Sequence, residues 1–225
     1  MRRIEYHSHT SLSHDGNWSP LEMIRCARER AQAVLALTDH VSLSNVEAVL
    51  EALRRERDAT CAWSEIEVFV GVEITQVPVG AIAEVALRAR RAGAEIVLVH
   101  GETLSEPVEP GTNRAALECP QVDLLAHPGL LSGEEAELAL RKGIFLELSA
   151  RGGHCPANGH LVRLARAAGA LSLLLLNTDA HRPDDLIGAE RAVRLARGAG
   201  LSEEEAQRVV GENAERLLVR LRGRR

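Results

Sequence analysis

Seven short apolar runs, each of strand length, pace the chain: Ile4–Tyr6, Val34–Leu37, Val68–Val72, Ile96–Val99, Val122–Ala126, Ile144–Leu148 and Ser172–Leu176. Most are apolar at successive rather than alternate residues, which is how strands read when both faces are buried, as in a parallel sheet. Between them, apolar residues spaced by three and four predict helices over Pro20–Ala33, Val46–Arg57, Ile82–Ala92, Glu134–Lys142 and Leu161–Ala168. Ser19 is placed to cap the first, with Pro20 pre-set for the first helical position. Gly93, Gly143 and Gly169 stand where helix C-termini are expected. Two more helices fill the tail from Asp184, the second opening near Ser202 with Glu205 in capping-box spacing. Strand and helix alternating seven times imply a parallel α/β sheet, and that many units close into a TIM-like barrel. No linker interrupts the rhythm, so the 225 residues are expected to form a single domain, 1–225.

Composition narrows the function classes. Aromatic residues make up 2% of the chain, which leaves few rings on which nucleic-acid bases would stack, and the net charge of -5 gives no basic field. The one basic cluster, Arg220, Arg222, Arg224 and Arg225, reads as a solvated helix end at the negative pole of a helix dipole. Cys26, Cys61, Cys119 and Cys155 are far apart with no C-x-x-C pair, which excludes a disulfide framework or zinc ribbon. The N-terminus lacks a signal-peptide pattern, and the longest apolar run, Leu173–Leu176, is far short of the ~20 residues of a membrane span. A cytoplasmic protein without membrane contact is expected.

The position of the ionisable residues carries more information than their number. The first strand ends in His7-Ser8-His9, the second in Thr38-Asp39-His40, the third in Gly71-Val72-Glu73 and the fourth in Val99-His100. The fifth ends in Ala126-His127 and the seventh in Asn177-Thr178-Asp179-Ala180-His181. The sixth, ending in Glu147-Leu148-Ser149, offers no histidine. C-terminal strand ends share one rim of a parallel barrel, where catalytic groups of such folds converge. Residues two apart on a strand face the same way, so His7 and His9 can grip one ion, and Asp179 with His181 repeats the geometry. A lone histidine at a strand end is more often hydrogen-bonded than metal-bound. So many on one rim with Asp15, Glu73 and Asp179 would crowd it with charge, a cost that multivalent cations remove. Imidazole plus carboxylate suits zinc, manganese or iron.

These segments, together with the Ser13-His14-Asp15-Gly16 turn, resemble the motif set of the PHP (polymerase and histidinol phosphatase) family over residues 4 to about 188. The resemblance is to its small stand-alone, histidinol-phosphatase-related members. It implies a distorted (β/α)7 barrel holding two or three divalent ions. By that resemblance His7, His9, Glu73 and Asp179 hold the first ion, and Glu73 bridges to a second held by His100 and His127. Asp15, His40 and His181 hold the third, with His14 a less favoured substitute for Asp15.

Metal-dependent hydrolysis of a small phosphomonoester follows as the expected activity, with a metal-bridging hydroxide attacking phosphorus. Asp15, His40 or a metal-bound water is a candidate acid for the leaving alkoxide, and Asp39 is expected to support His40. In the glycine-rich loop after the sixth strand, Arg151, His154 and His160 are candidate substrate or phosphate contacts, with Arg182 a weaker one. Asn113 and Arg114 lie on another rim loop, where helix capping by Thr112 or Asn113 is an equal reading. Three rivals stand beside this expectation: a nuclease or nucleotide phosphatase, an amidohydrolase-type C–N hydrolase, and a non-catalytic metal-binding module. Amidohydrolases often bridge two metals through a carboxylated lysine, whereas the one lysine here, Lys142, falls on a predicted helix.

Overall fold

A computed structural model describes residues 2–61 and 65–225; Met1 and the side chain of Cys61 lie outside the described residues. Strands β1 (Arg3–Glu5), β2 (Gln32–Leu37), β4 (Glu67–Ile74), β5 (Ile96–His100), β6 (Leu124–Ala126), β7 (Phe145–Ser149) and β8 (Leu174–Asn177) follow one another in that spatial order, every pairing parallel. A two-residue strand, β3 (His40–Val41), adds to β4 at its C-terminal end. The result is a nearly closed seven-stranded barrel. Its seam, between β1 and β8, is joined by one backbone bridge, Ser8 with Ala180. Lower down, side chains replace the missing ladder. The Arg3 guanidinium donates to the Leu176 carbonyl (2.8 Å) and to Glu5 (2.9 Å), while the Glu5 carboxylate accepts from the Thr178 amide (3.0 Å).

Helices α1 (Pro20–Glu29), α2 (Val46–Cys61), α3 (Ile82–Arg91), α4 (Thr112–Glu118), α5 (Gly133–Lys142), α6 (Asn158–Ala167), α7 (Ala189–Gly198) and α8 (Glu203–Val210) surround the sheet. The predicted signals hold at several ends: Ser19 and Glu22 form a capping box with Pro20 in the first turn, Ser202 and Glu205 form another, and Gly143 closes α5 in the left-handed region. α1 stops four residues before its predicted end because Ala31 turns to φ 55°, after which Gln32 enters β2. The tail has three helices rather than two, since Gly211 breaks the run between α8 and α9 (Glu212–Arg222).

Two apolar clusters result. The larger lies between the sheet and the surrounding helices. The smaller fills the barrel itself, from Ile4, Tyr6, Val34, Ala36, Phe69, Ile96, Leu98, Leu124, Phe145, Leu173 and Leu175, and includes Ala214, Leu217, Leu218 and Leu221 of α9. α9 therefore seals the N-terminal mouth. The tail arginines are not a solvated helix end, as their sequence suggests. Arg224 pairs with buried Asp123 (2.6 Å), Arg225 with Glu95 (2.6 Å), Arg222 with Glu67 (2.5 Å), and Arg220 donates to the Gly143 carbonyl (2.8 Å). Arg225 also stacks 3.7 Å over the Phe69 ring. With that mouth plugged, the opposite rim is where the barrel interior meets solvent. No described helix is long and apolar enough to cross a membrane. Cys26, Cys119 and Cys155 are unpaired thiols.

Candidate metal centre

Along β4, Phe69 and Glu73 share the inward face, so the strand that contributes a ring to the interior core presents a carboxylate at its upper end. The same parity brings His100 inward above Leu98 on β5, and Glu147 above Phe145 on β7. His7 and His9 follow β1, His40 opens β3, and His127, Asp179 and His181 follow β6 and β8. Asp15 reaches the rim from the loop after His9. There Gly16 packs so tightly that a Cβ would stand 1.9 Å from the Thr10 carbonyl oxygen, and only glycine allows the turn.

All nine sequence-predicted ligand positions converge, and eight of them are buried or nearly so. The Nε2 atoms of His7 and His9 stand 2.9 Å apart. Asp179 Oδ1 lies 3.4 Å from His7 Nε2 and 3.2 Å from His9 Nε2. Glu73 Oε2 lies 3.4 Å and 3.5 Å from the same two atoms, and its other oxygen, Oε1, is 3.3 Å from His127 Nε2. Donor atoms of Glu73, His100 and His127 form a further group. Asp15 approaches His181 Nε2 (3.0 Å) and His40 Nε2 (3.5 Å), and the His9, His40 and His181 rings cluster beside it. His14 is 77% exposed and 4.0 Å from Asp15, so Asp15 is the residue that faces the cluster.

The polar atoms at the centre are poorly satisfied by the protein. Both oxygens of Glu73 and Oδ1 of Asp179 are buried without an aligned hydrogen-bond donor. Burying such carboxylates costs several kcal/mol each unless something compensates. Two donors each 2.0–2.1 Å from a tetrahedral cation are themselves about 3.3 Å apart, which is the spacing seen among these atoms. The donor set thus fits divalent ions, with the two Glu73 oxygens turned toward different groups of imidazoles. Electrostatics agree. Burial alone would push Glu73 and Asp179 toward the neutral acid, but the surrounding histidines, His7 foremost, outweigh it and hold both well below the ordinary carboxylate range. Burial, reinforced by neighbouring imidazoles, holds His9 and His127 below the usual histidine value. Neutral imidazole is the form that ligates.

The ring nitrogens that point away from the centre are anchored, as ligand histidines require. His7 Nδ1 meets Glu147 (2.8 Å), His9 Nδ1 meets the Ser13 hydroxyl (3.1 Å) and His100 Nδ1 meets the Gly101 carbonyl (3.1 Å), whereas His40 Nδ1 lies between the Thr75 hydroxyl (2.7 Å) and Glu73 Oε2 (2.9 Å). Asp39 supports this shell by an indirect route. It accepts from Ser13 Oγ (2.7 Å) and the Thr10 amide (2.7 Å), and Ser13 in turn accepts from the His40 amide (2.9 Å). His127 and Asp179 have positive φ, 27° and 50°, a strained backbone that aims their side chains inward.

The other sequence candidates separate. Arg151 stands over the centre, its Nη1 3.7 Å from Asp179 and 3.0 Å from His181 Nε2, at the edge of a cavity of about 390 Å³ that Asp15, His181, Arg182 and Arg191 also line. His154 is not on an open loop: it is buried, 3.3 Å from Asp179, with its ring stacked on His127. His160 departs from its expected role. It lies on α6, where its Nε2 donates to the Leu131 carbonyl (2.8 Å) and its Nδ1 faces Arg163. Asn113 neither caps a helix nor faces a substrate, because its amide staples two rim loops, accepting from Glu102 N and donating to the Pro128 carbonyl. Arg114 pairs with Glu118 on the exposed face of α4. Asp15 also fits poorly as a proton donor. Burial favours its neutral form, but hydrogen bonds from His181 and His40 outweigh that and keep it ionised. Lys142 is exposed at the end of α5, so Glu73 and not a lysine occupies the bridging place.

Two carboxylates beside the cluster stand outside the sequence motifs. Glu147 has no histidine beside it in sequence, although its inward parity with Phe145 is readable. Glu106 comes from a rim loop and reaches His100 Nε2 (3.3 Å) and Arg151 (3.7 Å); nothing in its local sequence marks it.

With the geometry in place, the family is shown: residues 5–189 match the PHP domain, and the chain belongs to that family. An uncharacterized protein of Methanocaldococcus jannaschii is 40% identical over 220 residues, spanning 97% of this chain and the whole of that protein. Ribonuclease P protein component 3 of Methanosarcina barkeri is 28% identical over 224 residues, covering 92% of this chain and 86% of its own length. Among solved structures, the fold is similar to histidinol phosphate phosphatase of Lactococcus lactis, solved with zinc, L-histidinol and phosphate. That match has a TM-score of 0.63 and 15% identity, and covers 89% of this chain and 95% of the other.

Proposed function

We propose that this protein is a metal-dependent hydrolase whose substrate is a small phosphomonoester. The observation that carries the reading is Glu73, fully buried among imidazoles, with Oε2 facing His7, His9 and His40, Oε1 facing His127, and neither oxygen in an aligned hydrogen bond. His7, His9 and Asp179 would hold one zinc, manganese or iron ion, His100 and His127 a second, and Asp15, His40 and His181 a third. Ions so held lower the pKa of a coordinated water and neutralise charge on phosphate oxygens.

The chain's own groups do the rest. Arg151 offers a planar guanidinium to the phosphate from above the cluster, the geometry in which bidentate recognition works. Arg182 and Arg191 line the adjoining cavity together with Asp184 and Asp185, so it offers both donors and acceptors to the organic part of a substrate. Asp15, held ionised, has no proton to give; His40, driven up to about 10 by Glu73 and Asp15 against the opposing effect of burial, can carry one while it holds no ion.

A nuclease is the second reading, favoured by the relative named ribonuclease P protein component 3. The acidic net charge and scarcity of aromatics favour the small substrate. The test is an assay of the chelated and the manganese- or zinc-restored protein against sugar phosphates, histidinol phosphate, nucleotides and short oligonucleotides. Restoration of phosphomonoester cleavage, abolished by His9→Ala and Asp179→Asn, is expected. Preferential cleavage of oligonucleotides would replace this reading with the nuclease.

A further inference from the structure

We propose that His154 is a tenth donor of the metal centre, ligating through Nε2 the ion that His100, His127 and Glu73 would share. The inference rests on the metal-centre reading above. Three of the predicted ligand histidines, His7, His9 and His100, follow one pattern: Nδ1 anchored to a neighbour, Nε2 turned toward the buried carboxylates or their cavity. His154 repeats it. Its Nδ1 is fixed by the Thr103 hydroxyl at 2.6 Å and the Ser105 hydroxyl at 3.2 Å. Its Nε2 is buried, without an aligned hydrogen-bond partner, and 3.3 Å from Asp179 Oδ2. The ring lies nearly parallel to His127, centroids 4.1 Å apart and planes 18° apart.

Asp179 supplies the second half of the argument. Its Oδ1 faces His7 and His9, while its Oδ2 faces His154 at 3.3 Å, the Arg151 guanidinium at 3.7 Å and His127 at 3.9 Å. The two oxygens thus divide between two groups of imidazoles, as those of Glu73 do, and His154 belongs to the His127 group. A substrate-contacting histidine would show one nitrogen in the cavity beside Arg151, yet His154 is not among the residues lining it. The loop after β5 supplies both hydroxyl anchors, so Thr103 and Ser105 hold His154 much as Glu147 holds His7.

The test is retention of manganese or zinc by His154→Gln and by the double variant Thr103→Val, Ser105→Ala, dialysed against a graded series of chelator and measured by mass spectrometry, with His160→Gln as control. One equivalent of metal should leave His154→Gln at least about tenfold more readily than it leaves the wild type, the double variant should fall between, and the control should match wild type. In the cobalt-loaded protein the visible absorption should change in His154→Gln, since a nitrogen leaves the ion. Unaltered metal retention and cobalt spectrum, with or without a raised KM, would overturn the assignment. If His154→Gln does not fold, the double variant decides by the same readout. Because no substrate enters the measurement, an inactive protein that still shows this dependence would refute the phosphoesterase reading and leave His154 standing.

Discussion

Glu147 shows how much one buried side chain can control at a distance of one hydrogen bond. Its Oε2 accepts from Asn177 at 3.0 Å and holds His7 Nδ1 at 2.8 Å, which fixes the tautomer that leaves Nε2 free for an ion. Burial disfavours charge on His7, yet Glu147, Glu73 and Asp179 together hold its pKa well above the usual value, so a cation must displace a proton there. Glu147→Gln keeps the shape and removes the charge. It should weaken binding of the first ion about 10- to 100-fold, read by chelator competition, with the far-ultraviolet circular dichroism unchanged. At this scale the ligands were legible because a period of two and the strand ends dictate where side chains point. Glu147 and Glu106 were not, for different reasons. Glu147 acts through His7 and lacks a motif, and Glu106 arrives from a loop whose path depends on tertiary packing against Arg151 and His154.

Among the elements, α9 departs most from what its sequence suggests. Four arginines at a chain end look like solvent-exposed charge, and no local pattern says otherwise. Their partners, Glu67, Glu95 and Asp123, are spread along the chain and meet only when the barrel closes. The apolar face of the helix, Leu217 and Leu221 among it, is part of the interior core. Leu217→Ala should therefore cost about 2–5 kcal/mol, measured by urea unfolding, through lost burial and the cavity left behind. Arg225→Ala should cost far less, about 1 kcal/mol or below, because the pair is partly solvated. Neither should alter metal content in the fraction that remains folded, since both act at the opposite mouth. Helix boundaries were legible where capping residues spoke, at Ser19, Ser202 and Gly143. They were not where backbone conformation intervened, as at Ala31 and Gly211. β3 was also missed, because two residues carry no periodicity.

Over the whole molecule, the barrel separates its tasks by depth. Aliphatic side chains, Tyr6 and two phenylalanines fill the interior, α9 closes the lower mouth, and carboxylates and imidazoles gather at the upper rim. Fold class was readable because seven buried strands alternating with amphipathic helices admit few arrangements. The seam was not, since it depends on the Arg3–Glu5 pair and one bridge rather than on a strand ladder. The concentration of buried carboxylate at one rim needs a counter-charge, and the account assigns it to divalent ions. Anomalous X-ray diffraction from crystals soaked in excess manganese or zinc measures this most directly. Anomalous peaks are expected on both sides of the Glu73 carboxylate, one facing His7, His9 and Asp179 and the other facing His127. A rim that shows only water in those positions, with no anomalous signal at saturating metal, would contradict it.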